Sequence, residues 1–118
     1  MKAKEKEAVY NKYNGHCAYC GKELGRLANL RVDHATPIGK DSSFGFLQSK
    51  LNSIDNLMPA CNHCNIYKGQ LNIEDFRFKM FRLHKVIKSI FAVKIAIDFG
   101  IITLPDWSGK FYFEKVEK

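Results

Sequence analysis

One half of a four-cysteine metal site lies within residues 55–69, which read D-N-L-M-P-A-C-N-H-C-N-I-Y-K-G. This stretch contains the pair Cys61 and Cys64, and a second C-x-x-C pair, Cys17 and Cys20, stands earlier in the chain. Two such pairs have the spacing of a tetrahedral zinc site. Two redox pairs or buried free thiols are the alternatives. Zinc is favoured because it uses every cysteine in the chain and because disulfides are disfavoured in a reducing cytosol.

The segments around the cysteine pairs predict an α+β fold. Asn14-Gly15 ends an Ala/Glu/Lys-rich first segment, since Gly is the usual residue of a left-handed helix cap. Alternating and apolar runs bounded by Pro or Gly indicate short strands. The predicted elements are a helix at residues 1–13, strands at 30–38 and 56–60, a polar loop at 40–53 and a helix at 61–68.

The C-terminal extension, residues 70–118, predicts a long basic helix that begins after Asn72. Asp75 stands three residues after Asn72, which approximates a capping box. Apolar residues follow at helical spacing and are expected to face the core. They are Phe76, Met80, Leu83, Ile87 and Ile90. Residues 91–99 fit either a helix or a strand, with Gly100 favouring a helix, and residues 111–113 predict a final strand.

Length and charge suggest one basic domain that spans residues 1–118. The chain has 118 residues, with 19 Lys+Arg against 12 Asp+Glu and a formal charge of +7. This balance favours polyanionic partners. No acidic residue occurs between Phe76 and Ile97, so the long helix is basic outside its apolar positions. We expect a cytoplasmic location, because no signal peptide or membrane-length apolar stretch is visible.

Three motifs in order resemble the HNH endonuclease family. They are C-A-Y-C at residues 17–20, V-D-H-A-T-P-I-G at 32–39 and the D-N-L-M-P-A-C-N-H-C-N-I-Y-K-G stretch at 55–69. Together they cover residues 17–69, the core motif of the predicted domain. The resemblance implies a ββα-metal core in which two antiparallel strands and a helix hold one catalytic divalent cation, separate from a structural Zn²⁺.

The same resemblance assigns the site residues. His34 is the general base, Asp33 and Asn65 are ligands of the catalytic cation, and Asn56 orients the catalytic loop. The third family position is often His, and Asn65 is a variant of it. His63 lies off the motif. Asp33 and His34 would face opposite sides of a regular strand, so a bend or twist must bring both to the site.

These residue types suit metal-dependent hydrolysis of DNA phosphodiester bonds. A neutral imidazole can accept the proton of an attacking water, and carboxylate and amide oxygens suit Mg²⁺ or Mn²⁺. The expected partner is double-stranded DNA, and the protein is expected to be a monomer. The family resemblance implies an origin in a phage or mobile element, and hence the cytoplasm of a bacterium or a phage-infected host. The predicted nucleic-acid contacts are Lys40, Lys68, Arg77, Arg82 and Lys85.

Two other functions fit parts of the sequence. A zinc-knuckle module could bind DNA without cutting it, although intact Asp33, His34, Asn56 and Asn65 argue against a decayed site. A zinc-stapled interaction domain could instead present its basic face to an acidic protein. Metal-dependent nicking of plasmid separates the nuclease from both.

Overall fold

The computed structural model describes residues 2–37 and 51–116. Most of the predicted loop at residues 40–53, including Lys40, therefore lies outside the described residues. The described helices are α1 (Ala3–Lys12), α2 (Asn62–Lys68), α3 (Ile73–Lys88), α4 (Phe91–Asp98) and α5 (Tyr112–Val116), and the strands are β1 (Arg31–His34) and β2 (Leu57–Ala60). The chain divides into two compact units. The first comprises residues 1–73 and 111–118, and the second comprises residues 74–110.

A two-stranded antiparallel sheet lies at the centre of the first unit. Asp33 pairs with Met58 and His34 pairs with Leu57. All four residues of β2 are buried, which fits its continuous apolar sequence. Both strands are shorter than predicted, since β1 ends at His34 instead of continuing to residue 38. Pro37 follows closely and cannot donate a backbone hydrogen bond to a ladder.

Helix α1 confirms the predicted N-terminal helix and packs beside β2. Val9 is fully buried, and the Lys12 ammonium donates to the backbone oxygens of Ile54 at 2.8 Å and Leu57 at 2.9 Å. The helix stops where Asn14 and Gly15 adopt positive φ angles of 55° and 80°. A side chain at position 15 would also meet the Tyr10 ring, so glycine is required there both for its conformation and for space.

Helix α2 follows β2 directly and confirms the predicted helix at residues 61–68. Cys61 is its N-cap, and its sulfur accepts a hydrogen bond from the Cys64 backbone N–H at 3.4 Å. Gly69, at a φ of 55°, ends it. The chain thus passes from β1 and β2 to a helix whose first turn carries two cysteines and whose next turn carries Asn65 and Lys68.

The second unit contains α3 and α4. Phe76 is buried and Met80, Leu83 and Ile87 are half-buried, as predicted for the apolar side of α3. The expectation that Ile90 faces a core is wrong: it is 49% exposed, because α3 ends at Lys88 and Ile90 begins α4 as its N-cap. The ambiguous segment at residues 91–99 is helical and ends before Gly100, which has a φ of 72°.

The predicted final strand at residues 111–113 is wrong, because these residues begin the short helix α5. The Glu114 carboxylate accepts the Phe111 backbone N–H at 2.9 Å, as in a helix N-terminal cap. The next two backbone N–H groups donate to the oxygens of Tyr19 at 3.0 Å and Ala18 at 2.8 Å. These three acceptors satisfy backbone N–H groups at the start of α5 that have no partner within the helix. In a strand at the same place, these N–H groups would point in other directions.

Candidate metal centre and active site

The four cysteines form one cluster in the first unit. Their sulfur atoms all lie within 4.8 Å of one another, and the sulfurs of Cys20 and Cys61 are 3.9 Å apart. A tetrahedron of Zn–S bonds near 2.3 Å has edges of roughly 3.8 Å. The donor set and its spacing therefore fit a structural metal ion such as Zn²⁺.

Backbone hydrogen bonds hold both cysteine pairs in place. The Cys20 sulfur accepts the Lys22 N–H at 3.5 Å, in the way that Cys61 accepts the Cys64 N–H. The Ala18 N–H donates to the Pro59 oxygen at 2.8 Å and so joins the first pair to β2. Hydrogen bonds within the cluster also shift the pKa values of its cysteines in opposite directions. Hydrogen bonds from the Cys20 and Cys64 side chains lower the pKa of Cys17, whereas the hydrogen bond to Cys17 raises the pKa of Cys20 to about 11.

The predicted general base and the two predicted cation ligands line a single cavity of about 360 Å³, whereas Asn56 does not line it. Asp33, His34 and Asn65 all line it, together with Val32, Pro37, Gly69 and Gln70. Asp33 and His34 come from the end of β1, and Asn65 comes from the second turn of α2. Although Asp33 and His34 are neighbours in β1, both border the same cavity. Carboxylate and amide oxygens of this kind suit a hard divalent cation.

Two donors fix one oxygen of the buried Asp33 carboxylate. The Tyr19 hydroxyl donates a short hydrogen bond to Asp33 Oδ2, and the Lys68 ammonium lies 3.0 Å from the same oxygen. Lys68 also donates to the His34 backbone oxygen at 2.9 Å. Burial raises the pKa of Tyr19 and the Asp33 charge raises it further, so the phenol keeps its proton and remains a donor.

Comparison with known families identifies this segment. The family model described as HNH endonuclease matches residues 17–71. Residues 17–71, hereafter the HNH domain, are thus similar to HNH endonucleases. The match spans just under half of the chain, and it includes the complete cysteine cluster and every described residue that lines the Asp33 cavity. No curated protein and no solved structure matches the chain.

The match indicates a nuclease or another DNA-related function for the HNH domain. Its order of antiparallel strand, strand and helix is consistent with a ββα-metal core. Among the described residues, no helix is long and apolar enough to cross a membrane.

The His34 ring is held in a defined orientation at the edge of the HNH domain's cavity. Its Nε2 atom lies 2.8 Å from the side-chain oxygen of Asn52. An amide oxygen only accepts hydrogen bonds, so a neutral His34 carries its hydrogen on Nε2 and donates it to Asn52. This tautomer places the lone pair of the ring on Nδ1.

The Asn56 side chain bonds to the backbone of Thr36 and of Leu51, on either side of residues 37–50. Its side-chain oxygen accepts the Thr36 N–H at 2.8 Å. Its side-chain nitrogen donates to the Thr36 oxygen at 2.9 Å and to the Leu51 oxygen at 2.7 Å. These three bonds are suited to orienting the chain that follows His34, which is the role expected of Asn56.

The residues predicted to contact nucleic acid differ in their exposure to solvent and in their contacts. The prediction for Lys68 conflicts with its burial, because its side chain is shielded from solvent and its ammonium is bound to Asp33 and His34. Arg82 and Lys85 are exposed on α3 of the second unit. Arg77 pairs with Glu74 at 3.0 Å and donates to the Gly109 oxygen. Lys40 lies outside the described residues.

Two residues near the cavity escaped the sequence analysis. Tyr19 lies inside the first C-x-x-C pair, where an aromatic residue is readily assigned to packing. Its position between two metal-site cysteines is a signal that it comes near the rest of the site. Asn52 shows no such signal, since its contact with His34 depends on how the chain returns to β2.

Proposed function

We propose that this protein is a metal-dependent endonuclease that hydrolyses phosphodiester bonds of double-stranded DNA. The meeting of Asp33, His34 and Asn65 at one cavity of an HNH domain carries this proposal. DNA binding without cleavage is the alternative, and no feature of the cavity favours it.

The two metal sites have separate tasks in this proposal. The cysteine cluster holds a structural Zn²⁺ that joins the first C-x-x-C turn to the start of α2. Asp33 and Asn65 would hold Mg²⁺ or Mn²⁺ at the cavity, and the ion would supply positive charge for the phosphate and the leaving oxygen. Since α2 carries both Cys61 and Asn65, the zinc site also sets the position of Asn65.

His34 is the general base. As the oxygen of a water molecule bonds to phosphorus, Nδ1 of His34 takes the water's proton, and the bond from phosphorus to the 3′ oxygen breaks. The hydrogen bond from Nε2 to Asn52 keeps the ring in the required tautomer. Asn56 positions the segment after His34 through its three backbone contacts, without touching the reacting atoms.

Phosphate contacts are assigned to exposed basic side chains, and Lys68 is not among them. Arg82 and Lys85 remain candidates because they are exposed on α3, whose acidic residues Glu74 and Asp75 lie in its first turn. Contacts of this kind make DNA affinity fall as salt rises, whatever the sequence of the DNA.

The test is incubation of purified protein with supercoiled plasmid, with and without Mg²⁺ or Mn²⁺. Nicked or linear product is expected only with the cation. His34→Ala should slow cleavage by about 10²–10⁴-fold, the usual contribution of a general base. His63→Ala is the matched control, since His63 is exposed on the same domain and does not line the cavity.

The alternatives give different results. Salt-sensitive DNA binding with no cleavage under any metal condition would support the binding module. Cleavage by His34→Ala at the unsubstituted rate would remove His34 as the base. Asn65→His should retain more activity than Asn65→Ala, because imidazole is also a competent ligand.

A further inference from the structure

The cavity at Asp33 combines a single carboxylate with the buried ammonium group of Lys68. Among the described residues that line it, Asp33 is the sole carboxylate, beside the imidazole of His34 and the amide of Asn65. The Lys68 ammonium lies 3.0 Å from Asp33 Oδ2, and the Lys68 side chain is completely buried. Solvent therefore screens this positive charge poorly. The Asp33–Lys68 pair brings no net charge to the place where a divalent cation would bind.

Resting on the proposed nuclease function, we propose that Lys68 couples binding of the catalytic cation to binding of DNA. With Asp33 neutralised by Lys68, the free protein holds Mg²⁺ or Mn²⁺ weakly. A phosphodiester in the cavity adds the negative charge that the protein lacks. Cation and DNA then bind more tightly together than either binds alone, and by linkage each raises the affinity for the other by the same factor.

The positions of the contacts support a role in setting affinity. Lys68 and Tyr19 both bind Oδ2, so the carboxylate has its second oxygen, Oδ1, to offer to a cation. Lys68 follows Asn65 by three residues and therefore shares a face of α2 with it. Its bond to the His34 oxygen places the same ammonium beside the backbone of the general base. Lys68 is thus a positioning residue that also opposes the cation through its charge.

Three substitutions separate charge from position. Lys68→Met keeps the length of the side chain and removes the charge, whereas Lys68→Arg keeps a positive charge. Tyr19→Phe removes a neutral donor to the same carboxylate oxygen. If Lys68 served only to hold Asp33 in place, Lys68→Met would weaken cation binding. The proposed charge effect predicts the opposite sign.

The experiment measures Mn²⁺ affinity by electron paramagnetic resonance of the zinc-loaded protein, with and without a short DNA duplex. All measurements use the His34→Ala background, which slows cleavage of the DNA. Asp33→Ala measures how much Mn²⁺ binds to the protein outside the cavity. With Lys68 present, DNA should raise Mn²⁺ affinity by about tenfold or more, the order expected from one added unit charge close to the cation. Lys68→Met should bind Mn²⁺ about tenfold more tightly without DNA and should gain less from DNA. Lys68→Arg and Tyr19→Phe should keep the DNA dependence.

Equal Mn²⁺ affinity with and without DNA in the protein that retains Lys68 would overturn the proposal, even if Lys68→Met did not fold. Unchanged or weaker Mn²⁺ binding by folded Lys68→Met would also overturn it. The nuclease function is tested separately by plasmid nicking with the unsubstituted protein. Nicking without coupled binding would overturn the Lys68 proposal alone.

Discussion

The first unit encloses most of its apolar side chains, whereas the second unit leaves most of its own in solvent. Of the buried hydrophobic residues in the described parts of the chain, Phe76 is the sole member from the second unit. The largest exposures belong to Phe99 at 76%, Phe91 at 75% and Ile101 at 73%, all in the second unit. The first unit also has the cysteine cluster and the buried Asp33–Lys68 pair. The first unit therefore combines a small apolar core with a cluster of metal-binding residue types and a buried ion pair, whereas the second unit buries little apolar surface.

Loss of the structural metal should have the largest effect, and it should fall on the first unit. Cys61→Ser removes one of four sulfur ligands and a helix N-cap, so we expect that unit to unfold or to lose several kcal/mol of stability. Hydrogen exchange should show lost protection in β1, β2 and α2. The unsubstituted protein should contain close to one equivalent of Zn²⁺ by metal analysis. Folded, soluble protein without any zinc would contradict the assignment.

The core of the second unit should depend on Phe76. Phe76→Ala removes a side chain that is 2% exposed and should cost about 3–5 kcal/mol. The matched control is Phe78→Ala on the same helix, because Phe78 is 64% exposed and its truncation should change stability by less than about 0.5 kcal/mol. Urea denaturation followed by circular dichroism measures both variants. Similar losses would mean that burial does not distinguish the two positions.

Asn56 tests whether polar contacts order the first unit around its cavity. Asn56→Ala removes three hydrogen bonds to the backbone and should cost about 1–3 kcal/mol. Plasmid nicking should also fall, and additional Mn²⁺ should not restore it, because Asn56 positions a segment without binding the cation. Asp55→Ala, at the exposed neighbouring position, is the control. Recovery of Asn56→Ala at high Mn²⁺ would instead place Asn56 among the cation ligands.

Polar substitution of Phe99, the C-cap of α4, should have the smallest effect on folding. Phe99→Ser alters a side chain that is 76% exposed and should change the free energy of unfolding by less than about 0.5 kcal/mol. The same change should lower the tendency to aggregate, since large exposed apolar patches promote association. Light scattering and urea denaturation measure the two effects. A loss above 1 kcal/mol would show that Phe99 contributes to a folded core.

The sequence predicts the parts of this fold that short-range rules govern. Glycine positions mark the ends of α1 and α2, and cysteine spacing identifies the metal cluster. The error at residues 111–113 arose because aromatic residues favour strands, while the acceptors that begin α5 come from residues 18 and 19, far away in the chain. The burial of Lys68 could not be predicted for the same reason. A lysine at a helix end is normally solvated, and here its burial depends on Asp33, which β1 supplies.

The contacts of Asn56 also bear on how this domain tolerates a change in length between Thr36 and Leu51. Its side chain binds Thr36 on one side of residues 37–50 and Leu51 on the other. The two ends of this segment are thus tied to each other independently of its own sequence. Lengthening a segment whose ends are already fixed costs little additional loop-closure entropy. A change in the number of residues between Thr36 and Leu51 should therefore cost little stability and leave Asp33, His34 and Asn65 in their positions.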